Sequence, residues 1–279
     1  MPEVIVTGAA GFIGNALCKK LIEDGRQVLA LSRAEGNICD PSMWANLPPA
    51  QTVVHLAGSS YIPNSWKEPA NFLAANVVGT QMALDWCSRN GARIVFSSAY
   101  VYGTPARLPI HESDPIRPNN PYALSKYIAE QCCEFSAHHL GVSATVLRVF
   151  NVFGRGQRQE FLFPTLIKQL STNEITVKDL APRRDYIYLP DVVDAFVRAL
   201  DAPHGLWKFN IGSGKSHSVD EIIMTLQKIA GTNLSVVSEN ELRPHEIPDV
   251  RADVTLAKDI LGWKPRYDLA AGIQDILRG

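Results

Sequence analysis

The first fourteen residues restrict the fold more than any other part of the chain. A β-branched run, Val4 to Thr7, enters the turn Gly8-Ala9-Ala10-Gly11-Phe12-Ile13-Gly14, and an amphipathic stretch from Phe12 to about Asp24 follows. Glycines in the spacing G-x-x-G-x-x-G between a strand and a helix answer three needs. Gly8 makes the tight turn, Gly11 lets the backbone approach a pyrophosphate, and Gly14 packs the helix closely. The positive end of the helix then faces the phosphates, with Phe12 and Ile13 supplying its first amides.

Beyond the turn, short β-branched runs over 27–31, 52–56, 93–97 and 143–150 alternate with amphipathic stretches over 72–90 and 122–139. This alternation predicts βαβ units and an α/β fold, a Rossmann-type doubly wound parallel sheet. After Asn151 the alternation weakens, and Pro, Gly and Arg become frequent in GRGQRQEF, APRRDY and ELRPHEIPD. We therefore expect a dinucleotide-binding domain over 1–152 and a smaller, interleaved α/β substrate-binding lobe over 153–279. The stretch 184–202 is expected to return to the first domain as a strand and a helix capped by Asp191 after Pro190.

With 27 basic and 28 acidic residues among 279, the chain has a formal net charge of -1, so no global field draws it to nucleic acid or an anionic membrane. No apolar run approaches the roughly 20 residues that span a bilayer, and the N-terminus lacks the pattern of a secretion signal. A cytoplasmic protein is expected. The five cysteines show no C-x-x-C spacing, which argues against a disulfide framework or a zinc site. His138 and His139 fall on divergent helix faces, and His55 reads as a core residue, so no metal site is expected.

The second strand ends in Leu31-Ser32-Arg33. NAD-binding Rossmann folds often carry an acid here for the ribose 2′-hydroxyl. A hydroxyl and a guanidinium suit a 2′-phosphate instead, which favours NADP(H) with NAD(H) as the alternative. Asn37 and Ile38 are expected to border the adenine, with Asp40 as a substitute.

Tyr122 and Lys126, at i and i+4, share one helix face. A phenol is a poor acid-base group at neutral pH, and a neighbouring cation favours its ionised form. The pair suits proton exchange with a substrate oxygen while hydride passes between carbon and a nicotinamide. Ser98 sits at the carboxyl end of a predicted strand, where it can hold the same oxygen; Ser97 is its structural alternative.

These residues carry a family resemblance that runs from Val4 to about Leu277. TGAAGFIG, HLAG, NVVGT, SSAYVYG, YALSK, RVFNVFG, RRDYIYLPDVVDA, LRPHEIPD and LGWKP follow in order, and the chain resembles the extended short-chain dehydrogenase/reductases of the nucleotide-sugar epimerase and dehydratase type. The resemblance implies a catalytic set of Ser98, Tyr122 and Lys126, with Lys126 also holding the nicotinamide ribose. It implies that Leu56, Ala57, Gly58, Asn76 and Phe150 line the cofactor path. Asn151, Arg184 and Arg243 match positions that contact the diphosphate of a nucleotide sugar, although Arg183 and Arg184 also read as a solvated pair beside Asp185. Phe161 and Leu162 would border the base or ribose, as would Tyr188. The sugar would lie near Ser59, Ser60, Tyr61, Trp66 and Tyr100. The helices near 72–90 and 122–139 would form a homodimer contact.

Dehydratases of this type carry an Asp-Glu pair where Ala99 and Tyr100 stand, so 4,6-dehydration is not expected. A reductase of a 4-keto-6-deoxy nucleotide sugar is the leading reading. A nucleotide-sugar 4-epimerase with retained NAD is the alternative, and a non-catalytic dinucleotide-binding protein the second.

Overall fold

The computed structural model describes residues 2–99, 101–241 and 246–278, so Tyr100 and Arg243 lie outside the described residues. The chain runs β1 (Val4–Thr7), α1 (Phe12–Glu23), β2 (Val28–Leu31), α2 (Pro41–Ala45), β3 (Thr52–His55), α3 (Ile62–Lys67) and α4 (Pro69–Leu73). A π-helical turn, Ala74–Val78, joins α4 to α5 (Gly79–Asn90); β4 (Arg93–Ala99), α6 (Pro121–His139) and β5 (Ala144–Val149) follow. Next come β6 (Asn151–Phe153), α7 (Leu162–Gln169), β7 (Glu174–Val177), β8 (Arg183–Tyr188), α8 (Leu189–Ala199) and β9 (Leu206–Ile211). The chain closes with β10 (Ser216–Ser218), α9 (Val219–Ala230), β11 (Ser235–Ser238), α10 (Thr255–Leu261) and α11 (Leu269–Leu277).

Among the described residues the main sheet has the order β2-β1-β3-β4-β5-β9, with every pair parallel. A parallel sheet is covered on both faces, so its strands read as continuous apolar runs. Val4, Val6, Val54, Val95 and Leu147 face a core shared with α1 and α8. Ile5, Val53, Ile94, Phe96 and Val146 face a second core shared with α5 and α6. The strand order reverses between β1 and β3, which opens a crevice at their carboxyl ends.

The smaller sheets are β10-β8-β6 and β11-β7. They cover a third core in which Phe153, Phe163 and Tyr188 meet Ile222, Leu226 and Ile273. Asp185 of β8 is buried and links three segments: its carboxylate accepts from the Ser213 amide and hydroxyl at 2.6 and 2.7 Å, and from the Gly214 and Ala252 amides at 3.0 Å each.

Four local expectations need correction. Of the strand and helix expected over 184–202 to return to the first domain, only α8 packs on the main sheet, while β8 pairs with β10 and β6. The helix expected over 72–90 begins at Pro69 and is broken by the π-helical turn, which reorients Asn76. Asp191 does not cap α8, whose N-cap is Tyr188; its carboxylate instead accepts the Arg266 and Tyr267 amides at 3.0 Å each. Strand β9 extends the main sheet beyond β5, where no strand was expected.

Candidate active site

The glycine turn closes tightly against the exit of β3. Gly8 has φ +71°, and a Cβ there would stand 2.8 Å from the Ala57 nitrogen; a side chain is excluded both by conformation and by space. Ala57 in turn donates its amide to Thr7 Oγ1 at 3.2 Å. Helix α1 starts on Gly11 with no side-chain cap. Its first amides, from Phe12 to Gly14, are therefore a ready donor set for a pyrophosphate, and the turn fits a dinucleotide.

At the end of β2 the Ser32 amide donates to Glu35 Oε2 at 2.6 Å, and Ser32 Oγ accepts the Ala34 amide at 3.1 Å. Arg33 is exposed beside them. Ile38 packs on Gly79, and Asn37 Oδ1 accepts the Cys39 amide at 3.0 Å. Asp40 caps α2, its carboxylate accepting the Ser42 amide at 2.9 Å.

One polar residue expected along the cofactor path, Asn76, is held by hydrogen bonds within the protein. Asn76 is 1% exposed; its Oδ1 accepts the Ser59 amide at 2.8 Å, and its Nδ2 donates to the Ser59 carbonyl at 3.0 Å and to Ser125 Oγ at 2.8 Å. It braces the β3 exit loop against α6. Leu56 and Gly58 belong to the same loop, and Gly58 is held against the Asn76 side chain. Phe150, also expected to line the path, packs in a satellite core with Tyr102, Ile110, Ile247 and Val250.

Helix α6 is capped by Asn120, whose Oδ1 accepts the Ala123 amide at 2.8 Å, with Pro121 in its first turn. One face of it then presents Tyr122, Lys126 and Glu130 in succession. Lys126 is buried; its Nζ donates to the Ser97 carbonyl at 2.7 Å and lies 4.7 Å from the centre of the Phe96 ring. Burial pushes its ammonium down to about 8. Tyr122 meets the edge of Phe72 at 6.3 Å between ring centres.

Ser98 faces α6, but its hydroxyl donates inward to Glu130 Oε1 at 2.5 Å. In this arrangement its hydrogen lies on Glu130, and the Ser98 oxygen keeps its capacity to accept. Glu130 is fully buried and pairs with Arg148, the β5 residue in register with Ser98. Arg148 Nη2 donates to Glu130 Oε2 at 2.7 Å, and its Nη1 donates to Tyr102 Oη at 2.9 Å and to the Glu112 carbonyl at 3.0 Å. Neither Glu130 nor Arg148 stands out in the sequence as a site residue. The available signals were an acid eight residues after Tyr122 and a lone charge in the apolar strand ATVLRV.

On the opposite side of the crevice, Asn151 Oδ1 is a buried acceptor with no hydrogen-bond partner among the described residues. Tyr61 and Phe161 meet edge to face at 6.0 Å, and the Arg158 guanidinium lies 5.8 and 5.5 Å from their ring centres. Leu162 follows as the first residue of α7, and Trp66 is exposed. Tyr188 is core, 3% exposed, with its hydroxyl on Asp275, so it does not border a ligand. Arg183 and Arg184 are not a solvated pair. Arg183 holds Glu221 at 2.7 Å and the Ser216 carbonyl at 2.8 Å, whereas Arg184 holds Glu246 and the Ile247 carbonyl, the latter at 2.5 Å. Both Nη atoms of Arg184 are thus engaged within the protein.

Comparison with known proteins agrees with this geometry. The family described as "NAD dependent epimerase/dehydratase family" matches residues 4–212. The GDP-6-deoxy-D-mannose reductase of Pseudomonas aeruginosa is 32% identical, over 99% of this chain and 96% of its own length. A putative UDP-glucose 4-epimerase of Methanocaldococcus jannaschii is 30% identical over 98% of this chain and 97% of its own. The structure described as RMD from Pseudomonas aeruginosa complexed with NADPH superposes with a TM-score of 0.91 at 30% identity, covering 100% of this chain and 98% of the other. The chain belongs to the NAD dependent epimerase/dehydratase family, and is an NAD(P)-dependent enzyme of the extended short-chain dehydrogenase/reductase type.

Proposed function

We propose that the protein reduces the C4 ketone of a 4-keto-6-deoxy sugar carried on a nucleoside diphosphate, with NADPH as the favoured cofactor. The observation that carries this reading is Tyr122 and Lys126 one helical turn apart on α6, with the Lys126 ammonium buried against the end of β4. A bound nicotinamide supplies the hydride. The Tyr122 phenol gives its proton to the C4 oxygen, and the Lys126 charge stabilises the phenolate left behind. Asn76 and Ser125 hold the β3 exit loop against the same helix, so the cofactor and the proton donor stay in one frame.

Glycines 8, 11 and 14 would receive the pyrophosphate, while Ser32 and Arg33 would receive the adenosine ribose and its 2′-phosphate. The adenine would rest between Asn37 and Ile38. For the substrate, Asn151 offers its acceptor to a hydroxyl. Tyr61, Phe161 and Leu162 supply apolar surface, Ser59 lies on the loop beside the sugar, and Arg184 and Arg243 remain candidates for the diphosphate. Exposed Val78, Leu124 and Phe135 on the α5 and α6 side support a homodimer. No described helix is long and apolar enough to cross a membrane, and a cytoplasmic enzyme fits this reading.

One observation favours a second reading, a 4-epimerase with retained NAD. Because Glu130 takes the Ser98 hydrogen, Ser98 is suited to accept from a C4 hydroxyl, which is the group an epimerase binds at rest.

The test is to denature gently purified protein, assay the released NAD(H) and NADP(H), and then assay the protein with GDP-4-keto-6-deoxy-mannose plus NADPH and with UDP-glucose. NADPH-dependent loss of the ketone supports the reductase. Stoichiometric retained NAD with interconversion of UDP-glucose and UDP-galactose rejects it in favour of the epimerase.

A further inference from the structure

The loop after β2 carries its own anion on the backbone donor at the end of the strand. Ser32, Arg33, Ala34 and Glu35 form a reciprocal turn: Ser32 Oγ accepts the Ala34 amide at 3.1 Å, while Glu35 Oε2 accepts the Ser32 amide at 2.6 Å. Ala9, in the glycine turn, donates its amide to the Leu31 carbonyl at 3.0 Å, so this loop adjoins the pyrophosphate cradle. Arg33 makes no ion pair among the described residues, and so does not neutralise Glu35 two positions on. Hydrogen bonding from the Ser32 side chain and amide holds the Glu35 carboxyl below the usual range, which keeps it ionised at neutral pH.

We propose that Glu35 sets the discrimination between NADP(H) and NAD(H), because its carboxylate sits on the Ser32 amide and must move aside before a 2′-phosphate can take its place beside Arg33. The inference rests on the reading that Ser32 and Arg33 receive the adenosine ribose. A 2′-phosphate, close to doubly charged, meets both the occupied donor and the repulsion of the carboxylate. A plain ribose hydroxyl can instead donate to that carboxylate. Arg33 and Glu35 thus pull in opposite directions, and the balance between them fixes how far the site excludes the unphosphorylated cofactor.

Binding, rather than turnover, tests this. Dissociation constants for NADPH and NADH are measured by cofactor fluorescence on the wild type, Glu35→Gln and Arg33→Ala, with competition by adenosine 2′,5′-bisphosphate and by AMP. Glu35→Gln keeps an acceptor for the Ser32 amide, so the turn persists while the charge is lost. The expected result is an affinity for NADPH about tenfold higher, NADH within about twofold, and a gain that shrinks as salt rises. An unchanged ratio of the two constants in Glu35→Gln, with Arg33→Ala still weakening NADPH, overturns the role of Glu35 alone. If Arg33→Ala also leaves NADPH affinity unchanged, the assignment of the 2′-phosphate to this loop fails, and the proposal with it.

Discussion

The two sides of the crevice hold their charges in opposite ways. Beneath α6, Glu130 and Arg148 are sealed from solvent, with side-chain exposures of 0% and 1%. On the small lobe, Arg183 and Glu221 form a pair with exposures of 37% and 43%, and Arg184 with Glu246 is intermediate at 12% and 22%. A buried pair cannot lose one partner without stranding the other charge, whereas a wet pair exchanges partners at little cost. The proposed reacting groups thus lie on the fixed side, and the groups proposed to select the ligand on the side that can be rearranged.

The largest effect expected is on chemistry. Tyr122→Phe should lower kcat by about 10²- to 10⁴-fold, while NADPH affinity, read by fluorescence, stays near wild type; retained turnover would remove Tyr122 from its role. Glu130→Ala strands Arg148 and should cost about 3 to 5 kcal/mol in urea denaturation. A loss below 1 kcal/mol would erase the contrast between the two sides.

His55 gives a test with a pH axis. It is fully buried between Trp44 and Phe96, its Nδ1 meets Thr7 Oγ1 at 2.9 Å, and burial pushes it down to about 3. In the unfolded chain it takes a proton near pH 6.5. Its folded value is depressed, so the folded state is fully favoured above pH 6.5, and that advantage is lost as the pH falls toward 3. Between pH 6.5 and 4.5 the loss is about 2 kcal/mol. His55→Asn should flatten the stability curve over this window even though it lowers stability at pH 7. Arg183→Gln is the smallest of the set: a change under about 1 kcal/mol in the same denaturation assay is expected for its half-exposed ion pair with Glu221, and a larger one would show that the small lobe is as rigid as the side under α6.

What the sequence disclosed follows the same division. Strands β1, β3, β4 and β5 are legible because burial on both faces writes them as apolar runs, the edge strand β2 is a short apolar run despite its partial exposure, and the glycine turn and the Tyr122-Lys126 face are local patterns. Partnerships across long separations are not written locally. Arg148 reads as an intruder in its strand until Glu130, 18 residues earlier, is found beside it. Arg183 and Arg184 read as solvated because their carboxylates come from Glu221 and Glu246, far along the chain. Asn76 was noticed for its position, but the π-helical turn that directs it into the protein has no signature in AANVV. Strand β9, LWKFNI, carries Lys208 and Asn210 at alternating positions, which hides it from a search for apolar runs.

The Asp185 carboxylate bears on the exchange of parts between relatives. It joins β8 to the Ser213-Gly214 turn and to Ala252, so segments on both sides of β9 and well beyond it depend on a single acid. A crossover that brought in a foreign substrate lobe would have to import all three segments together, or leave a buried negative charge without its donors. New specificities in this scaffold are therefore reached more readily by point substitution along the crevice than by the shuffling of whole modules.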